Sequence, residues 1–172
     1  MQIRQIQVAC DAVHDRLTLH VSTQANEEYR VWITRRFLRK LWPHLLAMLT
    51  KHLAARPQAS AEKADAGTIM PPRFDQPFKV DNPLYPLGSS PLLASEANLR
   101  AAGDGLARLV LREGRERSFT LNLDAELMQA MCAMLRKSAE QLAWDLALDY
   151  VAVTPGEAPT LPTDDKKPSL LH

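Results

Sequence analysis

The tightest constraint on this chain is a strand that runs straight into a helix at Thr34 and does so again at Asp124, 90 positions later. In the first copy Tyr29, Val31 and Ile33 alternate with polar neighbours, the period of two that suits a half-buried strand. Thr34 then stands where a helix N-cap is wanted, and Phe37, Leu38, Leu41, Trp42, Leu45, Met48, Leu49 and Leu53 follow at helical spacing. In the second copy Phe119, Leu121 and Leu123 alternate and Asp124 takes the cap position. Leu127, Met128, Met131, Cys132, Leu135, Leu142 and Leu146 then carry an apolar stripe that predicts a helix ending near Leu148. Read backwards without a gap, Leu17, Leu19 and Val21 fall beside Ala107, Leu109 and Leu111, which makes about eleven apolar positions in register. Every strand-strand-helix unit must bury one sheet face and one helix stripe, so matching phase alone says little. The shared hairpin length and cap position say more, and they predict an internal duplication.

The architecture expected is α+β: two β-β-β-α units, antiparallel sheets each packed by a long helix, with a Pro-rich connector between them. The boundaries are 1–54 for the first unit, 55–95 for the connector, 96–150 for the second unit packed on the first, and 151–172 for a disordered tail. The opening strand follows from Ile6, Val8, Cys10 and Ala12 alternating with polar or small neighbours, which turns Cys10 inward as a small core thiol. His14-Asp15 and Gln24-Ala25-Asn26 supply the turns around a second strand at Arg16 to Thr23. Glu96 to Ala102 is a weaker strand, followed by a turn at Gly103-Asp104-Gly105 and a strand from Leu106. Pro43 lies inside the first helix, where it removes a backbone donor and crowds the carbonyl of Arg39, so a bend near Trp42 is expected.

From Ala55 to Pro91 the chain holds seven of its twelve prolines and no sustained period. Residues 56–68 are small and polar and read as mobile. Residues 69–88 carry Phe74, Phe78, Leu84 and Tyr85, a composition that docks on something, its own sheet or a partner.

Charge narrows the partners. Lys and Arg number 21 against 20 for Asp and Glu, so the chain is not a generic polyanion coat. Residues 1–54 nonetheless carry eight Lys or Arg against four acids, and no acid falls between Tyr29 and Ala61. Only Cys10 and Cys132 are present, with no metal-type spacing and no secretory leader at Met1, which reads as cytoplasmic. No apolar run reaches the ~20 residues that cross a bilayer, so no membrane role is expected.

Catalytic motifs are absent: no glycine-rich phosphate loop, no nucleophile elbow, no paired His with an intervening Glu, and hence no cofactor expected. Asp11, His14 and Asp15 share one turn, and a solvated turn is the simpler account than an acid/base site. The alternation offers more. If Leu17, Leu19, Val21, Tyr29, Val31 and Ile33 face the helices, the opposite face shows Thr18, His20, Arg30 and Trp32, and the second copy adds Arg108, Val110, Arg112, Thr120 and Asn122. An aromatic ring beside Arg and His suits single-stranded nucleic acid, where rings stack on bases and guanidinium groups meet phosphate. It also suits a symmetric protein interface, or a second core layer beneath the connector. Arg35, Arg36, Arg39 and Lys40 crowd the start of the first helix, where cations oppose the helix dipole. Either an anionic partner or a face of acids such as Glu126, Glu140 or Asp145 would answer them.

Consecutive strands followed by one helix, twice, resembles in layout the Whirly and Pur-type single-strand-binding proteins, with three strands here against four there. That resemblance of layout implies single-stranded nucleic acid as a partner, while the alternation and the basic helix start give the candidate nucleic-acid or partner surface: His20, Arg30, Trp32, Arg35, Arg36, Arg39, Lys40, Arg108, Arg112 and Asn122. The reading of the residues themselves puts first a non-enzymatic binding or assembly protein with a regulatory or scaffold role, self-associating as a homo-oligomer, most simply a dimer. An enzyme with a pocket where His20 meets Asn122 or Arg112 is the third reading.

Overall fold

The computed structural model describes residues 2–50, 78, 81–103 and 105–148. The expectations for residues 51–77, including the end of the first helix at Leu53 and the mobile stretch, and for the tail 151–172 lie outside the described residues.

The described residues form an α+β arrangement of two sheets and two helices. The first sheet takes β1 (Ile3–Asp11), β2 (Arg16–Thr23), β3 (Glu28–Thr34) and the two-residue β4 (Leu92–Leu93) in that order. Its first three strands are antiparallel, and β4 runs parallel to β3. The second sheet is an antiparallel meander of β5 (Glu96–Ala101), β6 (Ala107–Glu113) and β7 (Arg117–Leu123). Helix α1 (Arg35–Met48) follows β3, and α2 (Ala125–Gln141) follows β7. Asp15, Asn26 and Gly114 occupy the turns β1–β2, β2–β3 and β6–β7 with φ of 48°, 57° and 53°. Asp and Asn reach that left-handed region because their short polar side chains bond the local backbone, and Gly because it has no Cβ.

Both helices start where the sequence puts a cap. Thr34 Oγ1 accepts from the Phe37 N–H at 3.3 Å, and Asp124 Oδ1 from the Leu127 N–H at 2.8 Å. With 14 and 17 residues they are of ordinary length, not the long helices expected. Helix α1 continues through Pro43. Helix α2 stops at Gln141 because Ala143 turns left-handed, φ 51°. The Ala143 N–H then reaches Glu140 O and the Trp144 N–H reaches Ala139 O, each at 3.0 Å. This is the reversal that closes helices with orphan carbonyls. Leu146 and Leu148 therefore lie beyond the helix, correcting the expected end near Leu148.

The helices do not each cover their own sheet. Helix α2 lies chiefly along β1, the first strand of the other sheet, and α1 lies chiefly along β5. Buried residues of both sheets and both helices consequently form one cluster, from Ile6, Leu19 and Val31 through Leu38 and Leu45 to Leu109, Leu121, Met131 and Leu135. The expected pairing of each sheet with its own helix is replaced by an exchange. An apolar stripe specifies that a face is covered but not which sheet covers it.

Two local expectations also change. Cys10 is exposed, at the end of β1 where α2 is ending too; its Sγ lies 3.2 Å from Gln141 Oε1 and 3.5 Å from Ser138 O. Its inward parity is that of Ile6, but the covering helix runs out above it. Strand β4 was not foreseen, since two residues carry no period.

Candidate partner surfaces

The outer face of the first sheet carries His20, Arg30 and Trp32 on one side, as the alternation requires, while Leu17, Leu19, Val21, Val31 and Ile33 are buried on the other. Each of the three polar-face residues is already engaged by this same chain. The Arg16 guanidinium lies 3.6 Å above the Trp32 ring. Arg16 precedes Thr18, the cross-strand partner of Trp32, by two positions, so the hairpin register places it diagonally beside the ring. Arg30 sits 4.2 Å over the Tyr85 ring and donates to the Ser89 carbonyl. His20 Nδ1 lies 2.9 Å from Oε1 of Glu28, a buried carboxylate, and its ring packs 5.3 Å from Phe78.

Residues before β4 thus lie on the chain's own sheet. Glu28 N–H donates to Leu84 O at 2.8 Å, Leu84 N–H to Asn26 O at 3.0 Å, and Asn26 Nδ2 to the carbonyls of Asp81 and Asn82. Arg117, which no sequence signal singled out, holds the same segment from the other sheet. Its guanidinium donates to the carbonyls of Leu87 (2.9 Å), Ser90 (2.8 Å) and Pro91 (3.3 Å), and Glu113 pairs with it. One charged group thereby satisfies three backbone acceptors in a proline-interrupted stretch that cannot form a ladder of its own.

The start of α1 is different. Arg35, Arg36 and Arg39 are exposed around an open depression of about 390 Å³ shared with Asp15 and Thr34. Among the described residues none of them, nor Lys40, forms an ion pair. The acids offered as partners are not there: Glu140 pairs with Arg136 instead, 2.9 Å apart.

The second sheet presents Arg100, Arg108, Arg112, Thr120 and Asn122 to solvent, with Arg108 Nε 3.4 Å from Asn122 Oδ1. Of the expected surface residues, Arg108, Arg112 and Asn122 therefore form one group, His20, Arg30 and Trp32 another on a different sheet, and Arg35, Arg36 and Arg39 a third. His20 does not meet Asn122 or Arg112. Lys40 belongs to a fourth place, a groove of about 600 Å³ between α1 and the edge of β5, which no other strand among the described residues meets. Phe37, Leu41, Met48 and Leu99 make it apolar, and Lys40, His44 and Asn98 stand among its walls. The groove exists because the inward residues of β5 flanking Leu99 are Ala97 and Ala101, too small to fill the space beneath α1.

Among the described residues titration is perturbed at three places. Burial pushes the Cys132 thiol up to about 12. Burial raises the Tyr29 phenol, with the Glu27 carboxylate beside its hydroxyl adding to the effect. At Asp11 desolvation works upward but is outweighed by Arg16, the His14 amide and the His14 ring, which hold the carboxyl below its usual range. The Asp11–His14 turn is solvent-facing and salt-bridged. Among the described residues no cluster of His, Cys, Asp and Glu is arranged to hold a metal ion, and no helix is long and apolar enough to cross a membrane.

Comparison of this chain with protein-family models, with curated proteins and with solved structures found no match.

Proposed function

We propose that this chain is a non-enzymatic binding and assembly protein that associates with a second copy of itself. The observation that carries the reading is the groove between α1 and β5, beside a strand that among the described residues bonds a neighbour on one side only. An open strand edge next to an apolar groove is the arrangement by which folded proteins add a further strand, with the backbone supplying affinity and the groove specificity. The other face considered for a partner, around Trp32, is taken by Arg16 and by the residues before β4. Mass should be measured by light scattering and sedimentation from 1 to 200 µM. Self-association that Ala97→Trp abolishes by filling the groove, and that Trp32→Ala leaves intact, is the expected result. A concentration-independent monomer would end this reading.

We also propose that the chain is a duplicated β-β-β-α unit. Support comes from the aligned pairs Leu19 and Leu109, Val31 and Leu121, Leu38 and Met128, and Leu45 and Leu135, all buried at a constant offset. The exchange of helices between β1 and β5 is itself reciprocal.

A single-stranded polyanion is the second reading, favoured by Arg35, Arg36, Arg39 and Lys40, which form no ion pair among the described residues. Stacking on Trp32 would have to displace Arg16, so phosphate contacts would dominate and binding should weaken steeply with salt. Titration of a labelled 20-nucleotide oligothymidine at low salt tests it. No shift at 50 µM protein, or equal binding by an Arg35/Arg36/Arg39 charge-neutral variant, would discard it.

A further inference from the structure

We infer that two copies of this chain join through β5, antiparallel and edge to edge, with the twofold axis passing beside Asn98. This rests on the self-association proposed above and assigns its site and register.

The open side of β5 follows from its ladder. Ala102 N–H donates to Leu106 O at 2.8 Å, and Arg100 and Asn98 continue the same register opposite Arg108 and Val110. Backbone groups of alternate residues point to the same side of a strand, so those of Asn98 and Arg100 face β6. Those of Ala97, Leu99 and Ala101 face outward, where among the described residues no strand meets them.

The occupant is identified by charge. Glu96 and Arg100 stand symmetrically about Asn98, so the stretch is complementary to itself when reversed. Setting Asn98 against Asn98 of a second copy brings Glu96 opposite Arg100 twice, once on each side of the axis. Ala97 and Leu99 then become the pairs that exchange backbone hydrogen bonds. On its present flank Arg100 lies opposite Arg108, a like charge, and Glu96 of the second copy supplies the opposite charge that this row lacks. On the inner face, Leu99 of the second copy enters the groove lined by Leu41, His44 and Met48. A two-fold contact requires the same patch to complement itself, and β5 meets that condition in hydrogen bonding, charge and shape. A five-residue pairing with one apolar anchor is a small interface, so association in the micromolar range is expected.

Charge reversal tests the register. In sedimentation equilibrium, Glu96→Arg and Arg100→Glu should each raise the dimer dissociation constant about tenfold, since each sets like charges opposite one another twice. The double variant Glu96→Arg/Arg100→Glu should return to within about threefold of wild type, with thermal melts confirming that all three are folded. In a Cys10→Ser background, Asn98→Cys should oxidise readily to a reducible covalent dimer, because the two side chains meet across the axis in a pair ~4.5 Å apart at Cα. A dimer indifferent to the single reversals, or single losses that the double variant does not restore, would overturn this interface while leaving self-association standing elsewhere. A monomer at every concentration would remove both.

Discussion

The indole Nε1 of Trp144 donates to Oδ1 of Asp15 at 2.5 Å, tying the turn after α2 to the turn between β1 and β2 across 129 positions of chain. Trp144 is 5% exposed, so this bond is what satisfies a buried donor. Asp15 also holds a left-handed backbone, φ 48°. Asp15→Ala should therefore cost ~2–3 kcal/mol, from the orphaned indole together with the strain of alanine in that conformation. Asp15→Asn keeps both an acceptor and tolerance of the turn, and should cost less than ~1 kcal/mol. Urea unfolding of the two variants measures the difference, and equal losses would show that the indole bond contributes nothing.

Ala143 occupies the left-handed position that ends α2, where a Cβ is disfavoured, and it is exposed with no packing to lose. Ala143→Gly should raise stability by ~0.5–1 kcal/mol, the relief of strain exceeding the extra entropy that glycine gives the unfolded chain. A thermal midpoint that falls on substitution would contradict this.

Arg117 is expected to be the residue whose loss frees the segment before β4. Arg117→Ala removes donors from three carbonyls and should destabilise the fold by ~2–3 kcal/mol. Hydrogen exchange should rise first over residues 84–95, because Leu84 and Ala94 bond β3 and its turn only while the segment is held down. Uniform protection across that segment in the variant would assign the anchoring to β4 instead.

The two thiols should separate cleanly. Cys10 is exposed and should react with a disulfide reagent at pH 8 within minutes, whereas buried Cys132 should react only on unfolding. Because burial holds the Cys132 thiol near 12, above its unfolded value of ~8.5, folding favours the protonated form. That contribution is fully present below pH ~8.5 and is lost as pH rises toward 12. Between pH 8.5 and 10.5 wild type should lose ~2 kcal/mol more than Cys132→Ala. Parallel pH profiles would show the thiol to be as ionisable folded as unfolded.

What the residues determine by themselves is local. Thr34 and Asp124 cap helices because a short side-chain oxygen meets an amide three residues on, and that geometry needs nothing from elsewhere. The inward set of β2, β3, β6 and β7 follows from alternation alone, as does the outward placing of His20, Arg30, Trp32, Arg108, Arg112 and Asn122. Tertiary structure decided what those faces meet. Two amphipathic helices and two one-sided sheets can be combined in more than one way with equal satisfaction of every apolar stripe. The exchange that sets α2 on β1 and α1 on β5 is a choice of partner, which no periodicity carries. The same holds for the candidate surfaces. Trp32 looks available in sequence and is covered by Arg16, Arg117 looks ordinary and holds three carbonyls, and Cys10 has core parity yet is exposed beside the last turn of α2. The groove beside β5 arises where Ala97 and Ala101 happen to lie under α1. Each of these is a contact between distant segments, and a segment's own composition states only what it must bury or expose, never which partner lies opposite.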